Sequence, residues 1–286
     1  MINNIAVIGF GEAATTFCDG AEWKSVARFY DQKTDSPEHA QAKRSDYVRY
    51  DVAGCSSNAR AVSGAKLVMS LVTADEALAA ASATASSISD GTFYFDMNSV
   101  APGTKRTSAE MIRSAGGHYV DVAVMAPVQP KGRTVPLLLS GPESEEAIQI
   151  LKSLGFSNIS SAGAEIGQAS TIKMLRSIMI KGMEALTAEC VLAASRAGAL
   201  DAVLSALGEA WADRANYNLD RMMIHGTRRA AEMREVVKTI EDLGMSASMT
   251  AGTVARQSTI GSLNYKTPPE TLQEKLALLT GEESLK

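Results

Sequence analysis

The chain has 286 residues, of which 45% are hydrophobic, 5% aromatic and 21% charged, a composition typical of a soluble globular protein of about two domains. Its 28 basic residues stand against 32 acidic ones, and the net charge of −4 argues against nucleic acid or an anionic membrane as a partner. The sequence lacks an apolar run of the roughly 18 residues that cross a membrane, and MINNIAVIGFG has no basic signal-peptide start, so we expect a cytoplasmic protein.

Short β-branched and aromatic runs alternate with helical stretches through the first half of the chain. The runs predict strands over residues 2–9, 25–31, 66–72, 92–96, 118–124 and 136–139. The stretches between them predict helices over residues 12–23, 75–87, 102–115 and 144–154, with Gly155 as the last C-cap. This alternation predicts an α/β fold with a parallel, doubly wound sheet.

The pattern changes after about residue 163. Residues 167–197 run without proline and carry apolar side chains at helical spacing, which predicts one long helix ended by Gly198. Asp201 is a candidate N-cap for the next helix, and the remainder reads as helical to the C-terminus. We therefore expect a boundary near residue 160, with an all-helical C-terminal domain behind it.

The cysteines and histidines indicate neither a disulfide framework nor a metal centre. The three cysteines are an odd number without a short Cys-x-x-Cys spacing, and the three histidines are scattered. We therefore expect a reducing compartment and no bound metal.

A glycine-rich turn follows the first predicted strand and opens a helix, as a dinucleotide-binding turn requires. It fits the pattern G-x-G-x-x-A with the residues Gly9, Phe10, Gly11, Glu12, Ala13 and Ala14. Asp31 ends the second predicted strand, where its carboxylate would accept hydrogen bonds from the ribose hydroxyls and repel a 2′-phosphate. The turn predicts NAD as cofactor, with NADP less favoured, although Lys33 is a cation that softens this preference. A glycine turn beside a surface aspartate is the non-functional alternative.

Lys173 lies in the otherwise apolar opening of the long predicted helix. Arg176 and Ser177 follow it by three and four residues, so the three share one face. Such a lysine either extends to solvent or serves as a general acid/base, because burial and a cationic neighbour lower the pKa of an amine.

Four segments of the chain resemble the β-hydroxyacid dehydrogenase family, the group of 6-phosphogluconate and 3-hydroxyisobutyrate dehydrogenases. They are GFGEAA, VMSLVTADEA (68–77), DMNSVAPGTKR (96–106) and GQASTIKMLRS (167–177). The resemblance implies a Rossmann domain over residues 1–162 and a helical substrate and dimerisation domain over residues 163–286. It also implies that Lys173 is the catalytic acid/base.

The chain departs from this family where the substrate is held. Met125, Ala126 and Pro127 stand where the family has Ser-Gly-Gly, and Arg176 and Ser177 replace an asparagine pair. The K-M-L-R-S pattern and the segment HGTRRAAEM (225–233) are similar to a divergent branch of the superfamily.

Further candidate site residues follow from the same matches and from helical spacing. Candidate cofactor contacts after the third predicted strand are Leu71, Val72 and Thr73. Candidate substrate contacts are Asn98, Ser99, Met125, Arg176, Ser177, His225 and Glu232. For most of them a core or surface position is the alternative, and Arg228 and Arg229 are expected to be surface or subunit-contact charges.

The function that these residues predict is an NAD(P)-dependent dehydrogenase that oxidises the hydroxyl of a 3-hydroxy acid or of a less charged hydroxy compound. The alternatives are an imine reductase and a non-catalytic NAD-binding sensor or scaffold. Imine reductases generally carry Asp or Tyr where Lys173 stands, which favours alcohol chemistry. The long Ile/Met/Leu stripe and the family resemblance also predict a homodimer through the helical domain.

Overall fold

The computed structural model describes residues 4–281 and contains two compact units that divide between Lys173 and Met174. All described strands lie in the first unit, and the described part of the second consists of helices and their connections. This confirms the predicted fold class, a Rossmann-like α/β sheet followed by an all-helical part. The domain limits 1–162 and 163–286 stay a prediction.

The described strands form a single eight-stranded sheet in the order β3-β2-β1-β4-β5-β6-β7-β8. They are β1 (Ile5–Ile8), β2 (Ala27–Tyr30), β3 (Ala53–Gly54), β4 (Leu67–Ser70), β5 (Phe93–Asp96), β6 (His118–Val124), β7 (Leu137–Ser140) and β8 (Ile159–Gly163). Of the first predicted strand, Ile2 and Asn3 lie outside the described residues. The interior strand β1 is buried along its whole length, so both faces of the sheet are covered there.

One strand pair corrects the expectation of a wholly parallel sheet, because β7 runs antiparallel to β6. The connection between them, residues 125–136, contains one 3-10 turn (Gly132–Thr134) and no crossover helix. A parallel return requires a crossover of a dozen or more residues, usually a helix. β8 is parallel to β7, so this edge of the sheet runs opposite to the other six strands.

Helices cover the two faces of the sheet in the first unit. They are α1 (Glu12–Cys18), α2 (Ala40–Arg49), α3 (Asn58–Val62), α4 (Ala77–Ala85), α5 (Pro102–Ser114) and α6 (Ser144–Ser153). Ile5 and Val7 of β1 pack in one cluster with Phe17 of α1. Ala6 packs in another with Ile112 of α5. Alternate strand residues thus meet opposite helical layers, as a doubly wound sheet requires.

The long predicted helix is present as α7 (Gln168–Arg196), which crosses the division between the units. It is followed by α8 (Leu200–Leu207), α9 (Trp211–Asp242), α10 (Ser248–Gly261) and α11 (Leu272–Thr280). Leu219 and Met222 of α9 pack with Ile260 of α10 in the core of the second unit. Asp201 is not an N-cap: α8 already begins at Leu200 behind the cap residue Ala199, so Asp201 lies in the first turn.

Four elements were not predicted from the sequence: α2, β3, α3 and β8. The helix α2 is polar on most sides and buries only Tyr47, so it lacks the apolar stripe of an ordinary surface helix. The edge strand β8 has no fully buried residue. Within residues 4–281, no helix is both long enough and apolar enough to cross a membrane.

Candidate active site

The glycine turn between β1 and α1 contains two glycines that have different structural roles. Gly9 has a φ of +92°, and a Cβ atom there would lie 2.4 Å from the carbonyl oxygen of Leu71, so only glycine fits. Gly11 has an ordinary negative φ, and nothing lies within 4 Å of a Cβ built on it. Ala14 is buried against the core, while Glu12 is exposed. The protein itself therefore leaves open space beside Gly11 at the start of α1.

Asp31 is held by the backbone of two neighbouring segments. Its Oδ2 atom accepts a 2.8 Å hydrogen bond from the N–H of Phe10, and its Oδ1 atom accepts a 3.0 Å bond from the N–H of Lys33. The Nζ atom of Lys43 lies 3.9 Å from Oδ2 and donates to the carbonyl oxygen of Phe10 at 2.7 Å. The carboxylate is thereby oriented beside the glycine turn. Sequence reasoning missed Lys43, because the helix that carries it was not predicted.

The side chain of Phe10 points away from the turn and into the core. Its ring centroid lies 5.2 Å from that of Phe29 and 5.1 Å from that of Tyr47. The side chain of Phe10 is therefore directed away from any ligand at the turn. Lys33 is exposed, and Ala13 is partly buried.

The segment after β4 is held by Asn98. The Oδ1 atom of Asn98 accepts a 2.7 Å hydrogen bond from the N–H of Val72, and its Nδ2 atom donates to Ser70 Oγ at 2.9 Å. Leu71 donates its N–H to the carbonyl oxygen of Ile8 at 2.7 Å, which joins the segment to β1. Both ends of the buried Asn98 amide are thus engaged within the protein. Thr73, the third residue of this segment, is exposed.

The side chain of the neighbouring residue Ser99 differs from that of Asn98 in its hydrogen bonding. Its Oγ atom is buried, yet it has no hydrogen-bond partner among residues 4–281. A buried hydroxyl without a partner is costly, and such groups are often satisfied by a bound molecule. The same chain segment begins α5 at Pro102. A Cβ built on Gly167 would lie 3.1 Å from the Cβ of Pro102, so the chain that enters α7 packs against the start of α5.

Lys173 is the sixth residue of α7 and is partly buried. The first turn of that helix is capped by strand side chains: Ala169 donates its N–H to Ser140 Oγ at 3.0 Å, and Ser170 donates its N–H to Asp121 Oδ2 at 2.9 Å. Helix starts that lack such partners leave backbone N–H groups unsatisfied. The helix segment that carries Lys173 is therefore anchored to the sheet.

Met125 begins the loop that follows β6 and is partly buried. This loop is tied to α1, because Gln129 Nε2 donates to Thr16 Oγ1 at 2.8 Å. The guanidinium of Arg133 donates to the carbonyl oxygens of Phe17 and Asp19, at 2.8 and 2.7 Å. Arg133 thus caps the C-terminal end of α1, a contact that no short-range sequence signal indicates.

The other four candidates lie in the second unit, on α7 and α9. Arg176 is exposed, Ser177 is buried and His225 is partly buried. Glu232 meets two cations: its Oε2 atom lies 2.7 Å from Lys181 Nζ, and its Oε1 atom accepts a 3.0 Å hydrogen bond from Arg228. His225 and Glu232 are seven residues apart on α9, about two helical turns.

Lys181 is a buried cation that the sequence analysis did not single out. Burial lowers the pKa of its amine, and the adjacent Glu232 carboxylate opposes that shift. Lys181 follows Lys173 by eight residues on α7, and the sequence of this helix does not indicate its ion-pair partner, because Glu232 lies on α9.

The position of Arg229 differs from the expectation, because it was expected at the surface or a subunit contact and is buried within the second unit, at 7% exposed. It forms a two-pronged ion pair with Glu184 of α7, which also accepts a 2.9 Å hydrogen bond from Gln257 Nε2 of α10. The helices α9 and α10 approach closely because Gly226 faces Gly261. A Cβ on Gly226 would lie 2.6 Å from the Cα of Gly261.

Residues 4–281 contain no group of three or more His, Cys, Asp or Glu side chains placed to hold a metal ion. The candidate cofactor residues Gly9, Asp31, Leu71 and Val72 all lie at the ends of β1, β2 and β4, which are neighbours in the sheet. Ligands of open α/β sheets bind at this carboxyl edge.

Three solved structures illustrate what the chain is similar to. A conserved hypothetical protein from Sinorhizobium meliloti 1021 is 33% identical, with 99% of this chain and 97% of that chain covered and a TM-score of 0.73. A conserved protein of unknown function, described as structurally similar to 3-hydroxyacid dehydrogenases, is 30% identical, with 91% and 97% covered and a TM-score of 0.65. The 3-hydroxyisobutyrate dehydrogenase of Mycobacterium tuberculosis is 16% identical, with 98% and 99% covered and a TM-score of 0.69.

At 16% identity, the likeness to the 3-hydroxyisobutyrate dehydrogenase shows the fold alone. An imine reductase at 14% identity and a reductive aminase at 15% share this fold. Two family models match the chain directly. A domain of unknown function matches residues 194–260, and the NAD binding domain of 6-phosphogluconate dehydrogenase matches residues 4–162. The second match covers more than half of the chain and includes the glycine turn, Asp31 and Ser99. The chain therefore belongs to the 6-phosphogluconate dehydrogenase-like family of NAD(P)-binding proteins.

Proposed function

We propose that the protein is an NAD(P)-dependent oxidoreductase that oxidises a hydroxyl group to a carbonyl, with Lys173 as general acid/base. The observation that carries this proposal is the buried, unpartnered hydroxyl of Ser99. Ser99 follows Asn98, whose side chain holds the segment after β4. It also lies three residues before the start of α5, and the chain that enters α7 packs against that start. A polar ligand atom bound at Ser99 would give this hydroxyl a hydrogen-bond partner. The ligand would then lie between the strands proposed to hold the cofactor and the helix that carries Lys173.

The residues of the first unit fit a dinucleotide. Open space beside Gly11 admits a phosphate to the backbone, and Asp31 presents an oriented carboxylate for ribose hydroxyls. The nicotinamide ring, when bound, supplies the hydride acceptor or donor. Lys173 takes the proton of the substrate hydroxyl as the neighbouring C–H bond is broken, and it returns a proton to the oxygen in the reverse direction. Ser99 orients the oxygen.

The choice between NAD and NADP is proposed to rest on Asp31. Its carboxylate is fixed by the N–H groups of Phe10 and Lys33, and a 2′-phosphate placed there would meet a like charge. The cation of Lys43 at 3.9 Å lowers this repulsion but also holds the carboxylate in place. We therefore propose a preference for NADH over NADPH.

Changing Asp31→Asn should weaken NADH binding about 10- to 150-fold, because hydrogen bonds to a charged acceptor are worth about 1.5–3 kcal/mol. NADPH binding should strengthen in the same variant, since the repulsive charge is gone. Calorimetric titration with both cofactors measures the two effects, and Asp19→Asn, an exposed aspartate behind α1, is the matched control. An unchanged NADH affinity would remove Asp31 from the cofactor site.

The reaction is tested by following NADH absorbance with a panel of 3-hydroxy acids, uncharged and aromatic alcohols, and preformed imines. Turnover of alcohols supports the proposal. Turnover of imines alone supports the reductase alternative, whose fold the chain shares. Tight NADH binding without any turnover supports a sensor or scaffold, and failure to bind either cofactor overturns the whole proposal.

We also propose that the protein forms a homodimer through its helical part. On α7, Leu175, Met179 and Leu186 recur at intervals of four and seven residues and are 41%, 65% and 55% exposed. A row of large apolar side chains at this spacing is typical of a helix that packs on another helix.

The double change Met179→Glu and Leu186→Glu should convert a dimer of twice 30.2 kDa into a monomer, because it places charge in the apolar row. Light scattering coupled to size-exclusion chromatography measures the mass. The matched control is Leu263→Glu with Leu278→Glu, two exposed leucines outside α7. A wild-type chain that elutes as a monomer, or an unaffected dimer in the α7 variant, would contradict this interface.

A further inference from the structure

Four polar residues form one row across the neighbouring strands β4, β5, β6 and β7. Ser70 of β4 is opposite Asp96 of β5, Asp96 is opposite Asp121 of β6, and Asp121 is opposite Ser140 of β7. All four are completely buried. Burying two carboxylates costs a great deal of free energy unless each is paired and hydrogen-bonded.

Lys105 of α5 supplies that pairing. Its amine is also completely buried and lies 2.7 Å from the Asp96 carbonyl oxygen, 2.9 Å from Asp96 Oδ1 and 3.3 Å from Asp121 Oδ1. The two contacts with Asp96 are hydrogen bonds, and the contact with Asp121 is an ion pair. The hydroxyl of Tyr119 donates to Asp96 Oδ2 at 2.6 Å. Burial and the two carboxylates raise the pKa of Tyr119, which keeps this hydroxyl protonated as a donor.

One arm of this network ends at the helix of Lys173. Asp121 accepts two hydrogen bonds from Ser170, at 2.9 Å from the N–H and 2.7 Å from the hydroxyl. Ser140 Oγ accepts the N–H of Ala169 and donates to Asp121 Oδ2 at 3.2 Å. A negative charge at a helix N-terminus is also favoured by the helix dipole. Lys173 follows Ser170 by three residues, within one helical turn.

The other arm ends at the segment of Ser99. Asp96 Oδ1 accepts a 3.0 Å hydrogen bond from the N–H of Asn98, whose side chain holds Ser70 and Val72. The same lysine therefore joins the strand ends beside the cofactor turn to the first turn of α7. The mechanism proposed above uses neither Lys105 nor Asp121.

We propose that Lys105 and Asp121 are positioning residues, which together set the first turn of α7, and with it Lys173, relative to Asn98 and Ser99. This inference rests on the proposed function for its catalytic consequence. Catalytic groups that shift by about 1 Å lose about 100-fold in rate, so a rigid, buried connection between the two segments matters for turnover.

Asp121→Asn tests the proposal, because it keeps the shape of the side chain and removes its charge. We expect kcat to fall about 10- to 100-fold while the affinity for NADH stays within about threefold. Amide hydrogen exchange of residues 168–173 should accelerate, because the cap of α7 is weakened. Ser170→Ala, which removes one of the two bonds to Asp121, should give smaller effects of the same kind and remains informative if Asp121→Asn does not fold.

The control for a general loss of stability is Leu151→Ala, a buried leucine of α6. It should leave kcat and the exchange of residues 168–173 unchanged. A kcat within about threefold of wild type in Asp121→Asn, or exchange of residues 168–173 at the wild-type rate, overturns the positioning role. If the wild type turns over no substrate, the proposed dehydrogenase function fails, and the exchange measurement alone decides whether the network positions α7.

Discussion

Replacing Lys173 with methionine should lower kcat about 100-fold or more while leaving the affinity for NADH nearly unchanged. Methionine keeps about the length and the apolar stem but removes the amine that accepts and returns the proton in the proposed mechanism. Positioned acid/base groups contribute about 10²- to 10⁴-fold to rate, so the loss should lie in that range. Steady-state rates with the best alcohol of the panel, together with NADH titration, measure it.

Two further variants make the Lys173 result specific. Lys173→Arg keeps the positive charge but gives up its proton far less readily, so it should lose most of the activity as well. Lys152→Met, which changes an exposed lysine at the end of α6, should behave as wild type. A loss of less than about tenfold in Lys173→Met, or about 1.4 kcal/mol of transition-state stabilisation, would remove Lys173 from the mechanism.

Replacing Arg229 with methionine should lower the free energy of unfolding by about 3–5 kcal/mol, because it leaves the buried carboxylate of Glu184 without its cation. Gln257 still donates one hydrogen bond to that carboxylate but carries no charge. Denaturant titration followed by circular dichroism measures the change.

The adjacent residue provides the control for this stability prediction. Arg228→Met removes a cation whose side chain is 49% exposed and pairs with Glu232 within α9, so it should cost less than about 1 kcal/mol. Adding Glu184→Leu to Arg229→Met should recover part of the loss, because no unpaired charge remains buried. If the two arginine variants are equally stable, the burial of Arg229 has no energetic consequence.

The parts of the site that sequence reasoning found are those in which chain neighbours determine the geometry. The glycine turn and Asp31 lie within one strand-helix-strand unit, and the structure joins Phe10 to Asp31 directly, 21 residues apart. The strands β1, β2, β4, β5 and β6 were found for a similar reason, since each is a short apolar run bounded by turn residues.

The parts that were missed depend on contacts between distant segments. Lys105 was not singled out and Arg229 was expected at the surface or a subunit contact, since nothing in their own helices indicates the carboxylates of Asp121 and Glu184. β7 runs antiparallel to β6, and the loop before it contacts α1 through Arg133, a residue 116 positions away from Phe17. Periodicity reports which face of an element is apolar, but it does not report which polar residue another element will cover.

The buried row of Ser70, Asp96, Asp121 and Ser140 also has a consequence for how the chain folds. Apolar strands in the middle of a sheet have similar neighbours at many alignments, so hydrophobicity alone distinguishes poorly between one pairing and another shifted by two residues. A two-residue shift of β5 along β6 would move Asp96 from Asp121 to Tyr119 or Ala123. Lys105 would then reach only one carboxylate, and the other would be buried without a cation. The buried charges therefore favour the native strand register during folding, because a shifted pairing would leave one carboxylate buried without a cation.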